Sequence, residues 1–515
     1  MSSPSEGTAG AEPEETASRH GLHDQILRGL SWSMLSSIAL RAASFATGVV
    51  LARLLTPDQF GVYAVALTVQ AILITMADLG LSAELIRCSD PVRRAPAVGL
   101  IGLATGSVLT VVMVVTAPAM SRVLGAPEAS SVIALLAVTV LLAGAGVVPY
   151  AMLQRRFDQR TLFLIAAVDF AVSTAVTIGL LVAGRGVISL AIGRVAGQTS
   201  TLVLQYLCSG VRPSVRTDRA TLVSTLRFCL PVGGANLLSW VLLNLDNVVI
   251  ARAAGPVALG FYVLAFNISN WPMSVVGQVV RSIALPAFSR MPGTAAPDPA
   301  TGKRSPDLTL GRAVGFVAAV ALPVGALLCL LATPVVALVY GERWLPAAPV
   351  LVALGAFGAV RILFDLMAGY LLARGRAAAT LIIQAVWCVT LIPALQIATH
   401  RHGIVGAGWA HVIVAAVVIV PAYLIAVSRA GAALAPVLRG LLLPALGTAV
   451  LIAAVAGTVL LIKAADLGSA QMVVLGGLAG AGAYAAVVGR WFVRILREAR
   501  AVGSAPPVHL PVGVS

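Results

Sequence analysis

The chain has 515 residues, of which 59% are hydrophobic and 11% charged, and its mean hydropathy is +0.96. Soluble domains carry about 25% charged residues, so this chain lacks the polar surface of a globule and a water-soluble enzyme or binding domain is excluded. The net charge of +15 points to cytoplasmic loops of a polytopic membrane protein, where lysine and arginine set orientation; no basic domain gathers it for a nucleic acid.

Residues 1–28, with Glu6, Glu12, Glu14 and Glu15, lack the basic stretch and apolar core of a signal peptide. They are expected to be a disordered cytoplasmic tail. A spanning helix takes about 20 mostly apolar residues, and such runs fall at 29–52, 61–84, 95–118, 131–153, 161–183 and 186–208. These six make an N-terminal lobe (29–208), followed by a cytoplasmic linker (209–225). The next six, at 226–251, 258–284, 311–340, 347–372, 377–398 and 404–427, make a C-terminal lobe (226–428). Two additional transmembrane helices, 438–462 and 469–492, occupy 429–495, and 496–515 forms a second cytoplasmic tail. The expected fold class is therefore an all-α polytopic membrane protein with 14 transmembrane helices and both termini cytoplasmic.

The two lobes share a signature. Leu51 to Leu67, LARLLTPDQFGVYAVAL, returns at Ile250 to Phe266 as IARAAGPVALGFYVLAF, with six of seventeen positions identical at an offset of 199. The identities are Ala52/Ala251, Arg53/Arg252, Pro57/Pro256, Gly61/Gly260, Tyr63/Tyr262 and Ala66/Ala265. Few of them are apolar filler, so the match marks one helical hairpin used twice. Six spans per half give both halves the same orientation, so they are expected to be parallel repeats around a central cavity. Charge counting supports the map: the inner segments hold 24 of the 35 Lys and Arg. Each outer loop holds one: Arg53, Arg122, Arg185, Arg252, Arg343, Arg401 and Lys463.

A charge within hydrocarbon costs about 2.5–3.5 kcal/mol on insertion scales, so it is expected to face a cavity or a partner. In span order these charges are Arg41, Asp78, Asp169, Arg194, Asp246, Arg281, Arg361 and Asp365, and His411 lies in span 12. In span 1, Ser33, Ser37, Arg41 and Ser44 recur at helical spacing and form one polar stripe. Its counterpart, span 7, carries Asn236, Ser239, Trp240, Asp246 and Asn247 within one arc. These stripes fit a solvated cleft, with helix–helix hydrogen bonding as the competing use of the serines. Arg361 and Asp365, four apart on one helix, are expected to pair structurally. Asp78 and Asp169 have no such neighbour, and either is free to meet Arg41 or Arg194 across the bundle or to bind a coupling cation. For Arg281, snorkelling to the interface competes with a buried role.

Enzyme motifs are absent. There is no phosphate loop, no HExxH or GxSxG, and no metal-spaced His/Cys cluster, and the five cysteines show no CxxC spacing. No cofactor and no metal are expected.

Five stretches carry a resemblance: LARLLTPDQFGVYAVAL with DLGLSAELIR behind it, LQRRFDQRTL (153–162), LDNVVIARAAGPVALGFYVLAFNIS (245–269), LPAFSRM (285–291) and VYGERWLPAAPVL (339–351). In that order they resemble Wzx-type oligosaccharide flippases, the polysaccharide-transporter branch of the multidrug/oligosaccharidyl-lipid/polysaccharide exporter superfamily, across residues 25 to 430. The resemblance implies a transporter of the cell membrane with two six-helix lobes working by alternating access. It further implies an undecaprenyl-pyrophosphate-linked oligosaccharide as substrate, and a polysaccharide polymerase and assembly proteins as partners. Guanidinium groups engage diphosphate oxygens, which makes Arg41 the first candidate for the headgroup and Arg194 and Arg281 lesser ones. Asp246 or Asp78 is the candidate to bind a coupling H+ or Na+. By resemblance to lipid II flippases, the final two spans are candidates to receive the lipid tail.

The alternatives are a multidrug/cation antiporter or a lipid II flippase of the same superfamily. The antiporter would want few arginines and usually twelve helices, and the landmarks fit the lipid II flippase less well. A membrane glycosyltransferase or polymerase would need a sizeable extramembrane domain with catalytic carboxylates, which these short outer loops do not supply.

Overall fold

The computed structural model describes residues 40–212, 214, 216–289, 309–466 and 468–503. Among the described residues every regular element is a helix. The chain is a multi-pass membrane protein, with ten described helices long and apolar enough to cross a membrane.

Helix α1 is described over 40–54. The elements α2 (Pro57–Asp78), α3 (Leu81–Arg87), α4 (Pro91–Val123), α5 (Ala129–Arg155), α6 (Gln159–Val182) and α7 (Ile188–Ser209) follow. Next come α8 (Arg219–Ser289), α9 (Thr309–Leu330), α10 (Ala332–Val339), a 3-10 turn (Glu342–Ala347) and α11 (Ala348–Ala373). The chain continues through α12 (Ala377–Val414), a π turn (Ala415–Ile419), α13 (Val420–Arg429), α14 (Leu434–Ala464) and α15 (Ser469–Gly503).

Two of the long runs are interrupted. At 1.5 Å per residue, the 71 residues of α8 would stretch about 105 Å, against a hydrocarbon layer of about 30 Å. The run is broken at Gly255, whose φ of 84° and ψ of 174° suit glycine alone and stand directly before Pro256. In α12 the break lies at His402 and Gly403 (φ 58°, ψ −148°).

The chain divides into two compact units. One contains 1–55 and 65–244; the other contains 56–64 and 245–515. In the first unit, Leu81, Leu85, Val98, Ile101, Val147 and Cys229 build the core beneath α3. In the second, Val314, Phe357, Ile362, Phe364, Met367, Ile419 and Tyr423 build a larger one around α9, α11 and α13.

The short segment 56–64 places the middle of the first copy of the repeated signature in the second unit, where the second copy also lies. There the repeated residues meet each other. A Cβ on Gly61 would overlap the backbone carbonyl of Pro256, and a Cβ on Gly260 would fall 2.9 Å from the Pro57 carbonyl oxygen. Pro57 answers Pro256 in the repeat and Gly61 answers Gly260, so the contact is reciprocal. Trp344, fully buried, stands edge-on to Phe60 at 5.3 Å and to Phe261 at 5.8 Å. It therefore abuts both copies. The break before each proline is made differently. In the first copy Thr56 and Gln59 form a capping box: Gln59 N–H donates to the Thr56 hydroxyl (3.3 Å) and Thr56 N–H donates to the Gln59 side-chain oxygen (3.2 Å). In the second copy Gly255 does the work.

Helix starts in the basic segments use aspartate caps. Asp90 accepts from Arg93 N–H at 3.1 Å, Asp158 from Thr161 N–H at 3.1 Å and Asp218 from Thr221 N–H at 3.0 Å. The hydroxyl and amide of Thr161 hold the Asp158 carboxyl below its usual value.

Two predictions follow from these contacts. Gly61→Ala is expected to lower the stability of the purified full-length protein by about 1–3 kcal/mol, because backbone must move. Gly457→Ala, where no atom lies within 4 Å, is expected to leave it unchanged; equal thermal midpoints for both variants would refute the contact. Asp158→Ala is expected to cost about 1 kcal/mol at neutral pH. A carboxyl with a lowered folded-state pKa stabilises above its unfolded value of about 3.9 and loses the effect as pH falls through the folded value. The difference from wild type should therefore close below about pH 4, read from thermal midpoints across pH.

Candidate functional site

The second unit buries an ionisable cluster drawn from both limbs of α8 and from α12. Asp246, 8% exposed, lies on the limb before Gly255; Tyr262, fully buried, lies on the limb after it; His411, 6% exposed, lies on α12. The Tyr262 hydroxyl donates to Asp246 Oδ2 at 2.9 Å and stands 3.1 Å from His411 Nε2. Asp246 Oδ1 accepts the N–H of Asn247 at 2.8 Å. His411 Nε2 is 3.9 Å from Asp246 Oδ2, while its Nδ1 is buried with no hydrogen-bond partner among the described residues. Phe357 packs against the imidazole, with ring centroids 5.0 Å apart. A π turn opens at Ala415, one helical turn beyond His411, and such turns concentrate at functional sites. Arg361 of α11 acts electrostatically on both Tyr262 and His411.

A cavity of about 120 Å³ in the same unit is lined by Phe266, Ser269, Asn270, Met273, Phe357, Arg361 and Asp365 among others. Arg361 and Asp365 thus both border it. Ser269 is held there by donating to the Leu354 carbonyl at 2.8 Å.

In the first unit, Arg194 of α7 pairs with Asp169 of α6 at 3.4 Å, one of the pairings the sequence left open. The helices approach closely enough for this because Gly193 and Gly197 face α6: a Cβ on Gly193 would overlap the Thr177 hydroxyl, and one on Gly197 would fall 2.7 Å from Asp169 Oδ1. Asp78 sits at the α2–α3 break, where Ser82 donates to it twice, from its amide (3.2 Å) and from its hydroxyl (3.0 Å). Arg41 is half-buried and Ser44 exposed on α1. Ser33 and Ser37 lie outside the described residues, and the side chains of Asn236, Ser239, Trp240 and Arg281 lie outside the described ones.

The sequence reading did not single out Glu84. It is fully buried and paired with Arg87 at 3.0 Å and with Arg94. Arg155 caps the end of α3 by donating to the carbonyls of Ile86 (2.7 Å) and Cys88 (2.6 Å), and Arg87 covers the Phe228 ring at 4.3 Å. The signal was present, since Glu84 is the second acid of DLGLSAELIR, after Asp78, and Arg87, Arg93 and Arg94 follow it closely. Tyr262 was visible as a repeat identity and His411 as an ionisable residue within a span, but nothing in one dimension joined them to Asp246.

Residues 50–349 match a family described as polysaccharide biosynthesis protein. The chain belongs to this family. It is 27% identical over 327 residues to the succinoglycan biosynthesis transport protein ExoT of Rhizobium meliloti (strain 1021), covering 63% of this chain and 65% of that protein, just under two thirds of its length. It is 23% identical over 394 residues to the lipopolysaccharide biosynthesis protein WzxC of Escherichia coli (strain K12), covering 75% of this chain and 77% of the relative. Among solved structures it is similar to lipid II flippase MurJ in an inward closed conformation (TM-score 0.72, 13% identity, 90% of this chain and 100% of that one). It is also similar to an inward-facing multidrug resistance MATE family transporter (TM-score 0.60, 17% identity, 76% and 94%). At these identities the two structures share the fold with this family member, and that alone.

Removing the carboxylate at Glu84 leaves two arginines without it. Glu84→Ala is expected to cost about 1.5–3 kcal/mol, the range for hydrogen bonds to charged groups. An unchanged thermal midpoint in detergent would show the pairs to be incidental.

Proposed function

We propose that the protein is a flippase that carries an undecaprenyl-pyrophosphate-linked oligosaccharide from the inner to the outer leaflet of the cell membrane by alternating access. The observation that carries this reading is the family match over 50–349, joined to relatives named for succinoglycan, lipopolysaccharide and teichuronic acid biosynthesis. The MurJ and MATE likenesses support a transporter fold.

In this reading the chain has fourteen spans, two parallel six-helix repeats and two added helices, with both termini cytoplasmic. The breaks at Gly255 and His402–Gly403 support the count, because each falls between two of the expected spans. Arg41 is the foremost candidate for the pyrophosphate, since the Arg194 guanidinium already has Asp169; Arg281 remains a lesser one. Ser33, Ser37, Ser44, Asn236 and Asn247 would line the path of the sugars. A gradient of H+ or Na+ would drive the cycle, with Asp246 favoured over Asp78 because an imidazole, that of His411, stands 3.9 Å from its carboxylate, whereas Asp78 meets the amide and hydroxyl of Ser82. A polymerase and assembly proteins would take the product.

Deleting the gene and labelling lipid-linked sugar by leaflet is the test. Inner-leaflet accumulation supports the reading; drug sensitivity with normal glycan favours an antiporter instead. In the complemented strain, Arg41→Ala is expected to abolish export at unchanged protein level and Arg41→Lys to keep part of it. Normal export by Arg41→Ala would remove that residue from the mechanism.

A further inference from the structure

We propose that Asp246, Tyr262 and His411 form a proton site, that the proton is taken at His411 Nδ1, and that the coupling ion of this protein is therefore H+ and not a metal cation. What the proton drives rests on the flippase reading; its uptake does not.

The hydrogen bonds assign the atoms. Tyr262 directs its only hydroxyl proton to Asp246 Oδ2 at 2.9 Å, so the phenolic oxygen, 3.1 Å from His411 Nε2, is left to accept. Nε2 then carries the imidazole proton, and the bare lone pair is on Nδ1, the buried atom without a partner among the described residues. Proton uptake adds H+ from water to that lone pair and release returns it to water. No bond between heavy atoms changes, and the cluster passes from one negative charge to an ion pair of net zero. The charge so created stands 3.9 Å from the carboxylate, close enough to be held by it.

A hard metal cation is poorly served here. Alkali and alkaline-earth ions want several oxygen ligands, yet both Asp246 oxygens already accept hydrogen bonds, from Tyr262 and Asn247, and the third group is an imidazole. No group of three or more His, Cys, Asp or Glu able to hold a metal occurs among the described residues. The charged group that bears on the cluster from the remaining element is Arg361 of α11. It opposes a second positive charge, so the site's occupancy responds to whatever engages Arg361, which also borders the adjoining cavity with Asp365.

The site is placed to transmit its state. Its hydrogen bonds tie the limb of α8 before Gly255 to the limb after it, and both to α12. An unpaired buried charge and a neutralised one favour different arrangements of such a junction.

Proton uptake by the purified full-length protein in nanodiscs, followed with a pH dye from about pH 8 to 5, tests the assignment. H411Q is expected to take up one proton fewer per chain than wild type, and D246N to lose that same proton from this range. Y262F, which keeps both titrating groups, is expected to retain it. Equal uptake by H411Q and wild type overturns the proposal, as does saturable binding of radioactive sodium by wild type that D246N lacks. If H411Q does not fold, infrared difference spectra of the wild type over the same pH step decide. An imidazolium signature without a new carboxylic-acid band supports the site, whereas growth of that band puts the proton on Asp246 and overturns it. Glycan export in the deletion strain separates the two readings. A chain that takes up the proton but never restores export overturns the flippase reading alone. Export by H411Q that is normal and still collapses with the pH gradient overturns the site's part in coupling.

Discussion

The backbone-to-backbone approach of Gly61 and Pro256, mirrored by that of Gly260 and Pro57, is the constraint on which the second unit is built. Helices that touch through carbonyl groups have no side chain to spare between them, so each crossing helix must present glycine at the point of contact. In lipid there is no hydrophobic drive between two apolar helices, and van der Waals fit has to supply the association. A reciprocal contact supplies it twice from one motif. Trp344, packed on Phe60 and Phe261, adds a rigid aromatic body to the same place. The glycine at 341 with φ 99° permits the turn that delivers it.

Charge is handled by the same economy of partners. Glu84 has two arginines, Asp169 has Arg194, Asp78 has Ser82, and Asp246 has a phenol, an amide and an imidazole. In three of these four the carboxylate meets guanidinium or hydroxyl groups, whose charge ordinary pH does not change. The fourth contains a histidine, the one side chain here whose charge changes near neutrality. Under the proposal above, what sets Asp246 apart from the other carboxylates is therefore the chemistry of its partner, since burial is common to several.

Much of this was legible in one dimension because it depends on composition and on spacing. Membrane character follows from the scarcity of charge, the helix breaks from Thr56–Pro57 and Gly255–Pro256, and the residues of the reciprocal glycine–proline contact stand among the six identities at an offset of 199. Even the Asp169–Arg194 pair stood among the alternatives. The rest was hidden by distance along the chain. Asp246 and Tyr262 are 16 residues apart and His411 a further 149, and no periodicity links three positions on separate helical limbs. Glu84 was hidden differently, since a lone acid at the end of a span reads as interfacial until its neighbours from α3 and α4 close over it.

The repeat also bears on why Tyr262 meets a carboxylate at Asp246. Tyr63 and Tyr262 are equivalent, but the positions 16 residues upstream differ: Asp246 precedes Tyr262, whereas Thr47 precedes Tyr63. The two copies share the crossing and its tyrosine, and the difference at one upstream position gives the Tyr262 hydroxyl a buried carboxylate to donate to. In the proposed transport cycle, that asymmetry would let the two copies respond differently to one gradient. Two copies carrying identical proton sites would load together, whereas a proton site built on one copy alone would give that copy a state the other does not share.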